Sequence, residues 1–162
     1  KIIVWLKRKN MRTGRKIRLI LMVILCLGNI IQGYTQTRTD TLACFDKKLI
    51  IEYPAVNKIN LVNYEEGYFK TINCVADTSA ITIHCGAMVN LPLTCLTDKT
   101  IISKFTLGKD ICIVRGYCLV QGRKKYFREE NYFKYCITVV YENVNELRLS
   151  FYEHIFNNIK IQ

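Results

Sequence analysis

Hydrophobic and polar residues alternate through most of the chain with the period of a β-strand, which sends successive side chains to opposite faces. In 67–75, Tyr68, Lys70, Ile72 and Cys74 share one side while Phe69, Thr71, Asn73 and Val75 share the other. In 80–85, Ile81, Ile83 and Cys85 fall on one face. Residues 48–53, 100–107, 111–120 and 132–141 read as further strands, the last being the richest in aromatic and β-branched side chains. Turn signals stand between them at Tyr53-Pro54, Glu66-Gly67, Cys85-Gly86, Gly108-Lys109-Asp110 and Gln121-Gly122. Short strands at this spacing predict a mainly β chain, a small antiparallel disulfide-bonded β domain. Near the end the period changes. Leu147, Phe151, Ile155 and Ile159 recur every four residues with Tyr152 and Phe156 beside them, which predicts an amphipathic C-terminal helix over 145–159, packed on the sheet.

The start of the chain follows neither pattern. Residues 19–31 form an apolar stretch of 13 residues broken by Gly28 and Asn29, too short for the roughly 20 that span a bilayer core. Arg12, Arg15, Lys16 and Arg18 precede it and Gly33-Tyr34-Thr35 follows it. This order of basic, apolar and small residues reads as a secretory signal peptide, starting at Met11 and cleaved after Gly33 or Thr35. The expected organisation is therefore upstream residues and signal peptide over 1–33, a disulfide-rich β domain over 34–143 and an amphipathic segment over 144–162. The mature product is expected to be extracellular, with no membrane span after cleavage.

That reading changes the meaning of the charge. The chain holds 24 Lys and Arg against 13 Asp and Glu, but eight of the bases and none of the acids lie in 1–33, leaving +3 for the remainder. The basic excess belongs to the targeting segment, and nucleic acid is not an expected partner. Secretion also sets the redox state. Beyond Cys26 in the leader, Cys44, Cys74, Cys85, Cys95, Cys112, Cys118 and Cys136 are disulfide candidates of undetermined pairing. Seven is odd, so three bridges would leave one thiol, and a disulfide-linked dimer is one use for it. The sequence has no C-x-x-C pair, the spacing that structural zinc and redox sites use; no metal and no cofactor is expected.

Catalytic patterns are lacking as well. His84 and His154 are the only histidines, and neither belongs to H-E-x-x-H or lies near a G-x-S-x-G elbow. His84 precedes Cys85, but neighbours on a strand face opposite ways, so the pair reads as a strand histidine beside a disulfide cysteine. Glu65-Glu66 and Glu129-Glu130 read as solvated turn charges. No Asn-x-Ser/Thr acceptor for N-glycosylation occurs. The chain is not expected to be an enzyme.

Leu42-Ala-Cys44-Phe45, together with Cys112-Ile-Val-Arg-Gly-Tyr-Cys118 and Lys134-Tyr-Cys136, resembles secreted cysteine-rich modules of the three-finger type, related to snake toxins and urokinase-receptor domains, and cysteine-rich modules of nematode secreted proteins. The resemblance implies a secreted binding module that contacts receptors or channels through loops and has no active site. The first alternative is a secreted protease inhibitor, presenting a loop between Cys112 and Cys118. The second is a peptide precursor processed at Gly122-Arg123-Lys124. A last feature concerns partners. Gly122 to Arg128 sets three consecutive bases, two aromatics and a fourth base in a row, a spacing that suits polyanions. Read as a loop, it would present Arg123, Lys124, Lys125 and Arg128 as one patch to a glycosaminoglycan or an acidic cell-surface protein.

Overall fold

The computed structural model describes residues 36–75, 77–87, 93–94 and 97–162. The signal-peptide reading and the two cysteines Cys26 and Cys95 lie outside the described residues. Among the described residues ten strands and one α-helix follow in order: β1 Thr37–Cys44, β2 Lys47–Pro54, β3 Asn57–Tyr64, β4 Gly67–Cys74, β5 Ala80–Gly86, β6 Thr100–Leu107, β7 Ile111–Val120, β8 Arg123–Tyr132, β9 Ile137–Val144, α1 Glu146–Asn157 and β10 Lys160–Ile161. They form two antiparallel sheets, β1-β2-β10 and β3-β4-β5-β9-β8-β7-β6. This is the mainly β, antiparallel, disulfide-bonded fold with a C-terminal helix that the alternation predicts.

The core lies between the two sheets. Leu49, Ile51 and Tyr53 alternate inward from β2, and Ile72, Ile81, Ile83, Ile137, Val139 and Tyr141 meet them from the large sheet. Cross-strand register sets the latter on one face, because Ile72, Ile81 and Tyr141 stand side by side across β4, β5 and β9. Each large apolar side chain buried there contributes roughly 1.5–3 kcal/mol. Tyr152, Ile155 and Phe156 of α1 close the same core, with Tyr141 edge-on to Phe156 at 4.9 Å between ring centres. Leu147, which the every-four pattern puts on the apolar stripe, is 96% exposed. Four-residue steps overshoot a 3.6-residue turn by about 40° each, so a stripe anchored on Ile155 has rotated away from the core by Leu147.

Three long strands and the two-residue β10 escaped the sequence pattern. In β1 polar residues dominate, β3 has both faces exposed, and β8 carries charge at positions that turn out to be internal. The predicted strand 132–141 is two elements: β8 ends at Tyr132, a single 3₁₀ turn covers Phe133–Tyr135, and Cys136 adopts left-handed φ 52° before β9 begins. Residues 121 and 122 form the tight turn between β7 and β8. Both have positive φ, 51° at Gln121 and 73° at Gly122, the conformation whose twist matches a two-residue hairpin.

Candidate binding surface

The cysteines divide sharply. Cys44 at the end of β1 and Cys85 near the end of β5 form a disulfide that ties the small sheet to the large one, closing a sequence separation of 41 residues. Beside it Tyr68 Oη donates to the Ala43 carbonyl at 3.0 Å, and Lys70 pairs with Asp40, which also accepts from Tyr53 Oη at 3.1 Å. Burial by itself would raise the Asp40 carboxyl, but the Lys70 hydrogen bond and charge outweigh it and hold the group below its usual value. Cys74, Cys112, Cys118 and Cys136 carry free thiols. Cys112 and Cys118 lie in one strand, six residues or about 20 Å apart, beyond disulfide reach. The expectation of a bridge-dense domain is corrected on this point. The loop that an inhibitor would present between Cys112 and Cys118 is the paired strand β7. Burial pushes the Cys118 thiol up, with Asp98 adding to the shift.

The basic segment Gly122–Arg128 is also not a loop. It opens β8, fully paired with β7 from Val120↔Arg123 to Arg115↔Arg128. Strand alternation therefore splits the expected patch. Arg123 and Lys125 point to one face and Lys124 to the other, where its Nζ sits 4.7 Å from the Tyr117 ring centre. Lys125 Nζ donates to Asn145 Oδ1 at 2.8 Å, and only Arg123 and Lys124 are fully exposed. Arg128 is 4% exposed and faces α1. It pairs with Glu130, reaches Glu153 at 2.6 Å and donates to Asn157 Oδ1 at 2.8 Å. Tyr141 Oη donates to Glu153 at 2.5 Å and Tyr132 Oη donates to Glu130. Burial pushes both phenols up, and the adjacent carboxylates reinforce the shift.

Glu129 and Glu130 are buried on opposite faces of β8, not solvated at a turn. Glu129 accepts from the Leu93 and Thr94 amides and from Thr94 Oγ1, at 2.9 to 3.2 Å, and from Asn131 at 3.0 Å. Glu129 thus anchors the 93–94 segment on the outer face, while Glu130 neutralises Arg128, whose guanidinium makes the contacts to α1 on the core face. Glu65 and Glu66, by contrast, occupy the exposed turn between β3 and β4.

His84 is wholly buried on the outer face of β5. Its ring stacks on Phe69 at 4.4 Å, Nε2 lies 2.5 Å from Tyr64 Oη, and Nδ1 has no hydrogen-bond partner. Gly86 makes room for this arrangement, since a Cβ there would meet Tyr64 Oη at 1.7 Å. Burial holds the imidazole below its ordinary value. Cys85 points to the other face, as the sequence predicts. His154, on α1, lines a shallow cleft of about 320 Å³ with Glu52 and Lys160.

The surface with the clearest binding chemistry was missed by the sequence reading. The face of the large sheet that carries the core continues past α1 onto β7 and β6, where Ile111 and Ile113 are half-buried and their cross-strand partners Leu107 and Phe105 are 58% and 56% exposed. All eight residues of β6 are exposed. Residues 98–126 carry seven bases against two acids, while the rest of 36–162 carries nine against eleven. The signal available in the sequence was the placement of Phe105 and Leu107 on a strand close to Lys104 and Lys109. Among the described residues no group of three His, Cys, Asp or Glu gathers for a metal ion, and no helix is long and apolar enough to cross a membrane. Compared with known proteins, the chain matches no family model, no curated protein and no solved structure.

Proposed function

We propose that this chain is a secreted, non-enzymatic binding protein whose contact surface is the β6–β7–β8 fingers. The observation that carries the reading is the exposed continuation of the core-side sheet face, Phe105 and Leu107 beside Ile111 and Ile113, on the part of the chain where bases outnumber acids. Exposed apolar groups grouped on one face and rimmed by charge mark interaction sites more often than solvent surface. A partner suited to it presents apolar side chains among acidic ones, which describes an acidic cell-surface protein better than a polysaccharide. Splitting Arg123, Lys124 and Lys125 between two faces and burying Arg128 removes the single dense cluster that a glycosaminoglycan would need. The cysteine-rich modules that the sequence resembles supply the same class of role.

The test is binding of labelled secreted protein to intact cells. Phe105→Ser with Leu107→Ser should abolish it, heparin lyase treatment should leave it unchanged, and raising salt should weaken it through screening of the basic rim. Undiminished binding by the double variant would overturn the assignment of the surface.

A further inference from the structure

The large sheet ends in two edge strands, β3 and β6, and an unpaired edge offers its backbone groups to another strand. The two differ in their defences. β6 has an irregular register between Ile101 and Ser103, Lys104 at its middle, and Lys99 and Lys109 beyond its ends. Antiparallel self-pairing about its middle would set Lys104 beside its mate, and like charges across a ladder repel. β3 pairs with β4 without any register shift over all eight residues, and its one charged side chain is Lys58. Ile59, Leu61 and Val62 on it are 45%, 54% and 51% exposed.

We propose that β3 pairs with β3 of a second copy of this chain, in an antiparallel ladder with its two-fold axis at Asn60. The register follows from backbone geometry. Cys74 N donates to the Ser79 carbonyl, so the even-numbered residues of β4 direct their amides and carbonyls to β5 and the odd-numbered ones to β3. The partners of those odd residues are Lys58, Asn60, Val62 and Tyr64. Asn57, Ile59, Leu61 and Asn63 therefore direct their backbone groups outward. Only registers that join an odd residue to an odd residue make these bonds. With the axis at Asn60, Ile59 stands opposite Leu61 twice, Asn57 opposite Asn63 twice, and Lys58 opposite Val62. Moving the axis to Leu61 would set Ile59 against Asn63. In the Asn60 register the two Lys58 positions are offset by four residues, about 14 Å, beyond the screening length of about 8 Å at physiological salt. The four apolar side chains form one cluster on the core side of a continuous sheet, and the fingers of each copy remain open at the far edges, so this pairing is independent of the contact proposed for them.

Light scattering on the purified chain over a range of concentrations tests the proposal. Wild type should reach twice the chain mass. I59K/L61K, which gathers four like charges at the axis, should be monomeric, and I59K/L61E, which sets Lys opposite Glu, should recover the dimer. Ile102→Lys on β6 should change nothing. A cysteine at Asn60 should cross-link to its mate on mild oxidation, because a non-hydrogen-bonded pair brings Cα atoms to about 4.5 Å, within disulfide reach. Cysteine at Asn57 should not. A wild type that stays monomeric at its solubility limit, a dimer that survives I59K/L61K, or one that is lost in Ile102→Lys would overturn it.

Discussion

The centre and the fingers of the large sheet are built from the same alternation, yet one is sealed and the other open. At β5, β9 and the inner half of β8 both faces are buried, down to His84, Thr138 and Glu130 at 1% exposure or less. At β6 and the outer ends of β7 and β8 neither face is, with Ile102 61% and Leu119 62% exposed. The difference is coverage. α1 and the small sheet lie over the central strands, and the 93–94 segment is held to the outer face by Glu129. Nothing among the described residues covers the fingers. The same residue types therefore carry opposite meanings within one strand: Arg128 is an internal tie, and Arg123 five positions earlier is surface charge.

The largest expected effect tests the sealed centre. Arg128→Ala leaves Glu130 buried without its cation and removes the tie to Glu153 and Asn157, so unfolding free energy should fall by about 3–5 kcal/mol, measured by urea titration. A loss below one kcal/mol would mean that the centre does not depend on this pair. Next comes the tie between sheets. Cys44→Ala with Cys85→Ala should cost roughly 2–4 kcal/mol, largely through the unfolded ensemble. Alkylation of unfolded, unreduced wild type should label Cys74, Cys112, Cys118 and Cys136 but not the bridged pair.

A smaller effect distinguishes the outer face of the centre. Because burial lowers the His84 pKa from an ordinary 6.5, the unfolded chain takes up this proton more readily than the folded one. The contribution is complete above pH 6.5 and is lost as pH falls toward the folded value, with a slope of at most about 1.4 kcal/mol per pH unit. His84→Gln should flatten this part of the stability profile. The depressed Asp40 acts only as pH approaches its ordinary 3.8, so the two windows separate. The smallest effect belongs to the fingers: Arg123→Ala with Lys124→Ala should change stability by no more than about 0.5 kcal/mol per site and still reduce the salt-dependent part of cell binding. A large loss of stability there would erase the contrast between centre and fingers.

Much of the scaffold was legible in the sequence. Strands 100–107 and 111–120 were read at their observed bounds from their β-branched and aromatic content and the turn signals that flank them, and 67–75 and 80–85 to within a residue, where Ile72, Cys74, Ile81, Ile83 and Cys85 are buried on the face that the alternation assigns them. β3 was missed because Asn57, Asn60 and Asn63 give it a weak strand composition, whereas the equally exposed edge β6 is rich in Ile, Thr and Phe. β8 was misread because charge normally marks solvent, whereas Arg128 and Glu130 neutralise one another inside the fold. The helix was found but its stripe was turned, since spacing in fours is only near the helical period. The candidate surface was out of reach because an exposed Phe105 and a buried one look the same in a list of residues.

The sequence by itself determined what depends on local order: the antiparallel β class, the C-terminal helix, the turns at Gln121-Gly122 and Glu66-Gly67, and the opposite facing of His84 and Cys85. Tertiary structure alone decided which cysteines meet, which bases reach water, which acids are internal, and which two strands are left as edges of the large sheet. Those outcomes depend on what packs over each strand, and coverage is set by residues far away in the chain, such as β1 and α1, whose positions no local pattern encodes.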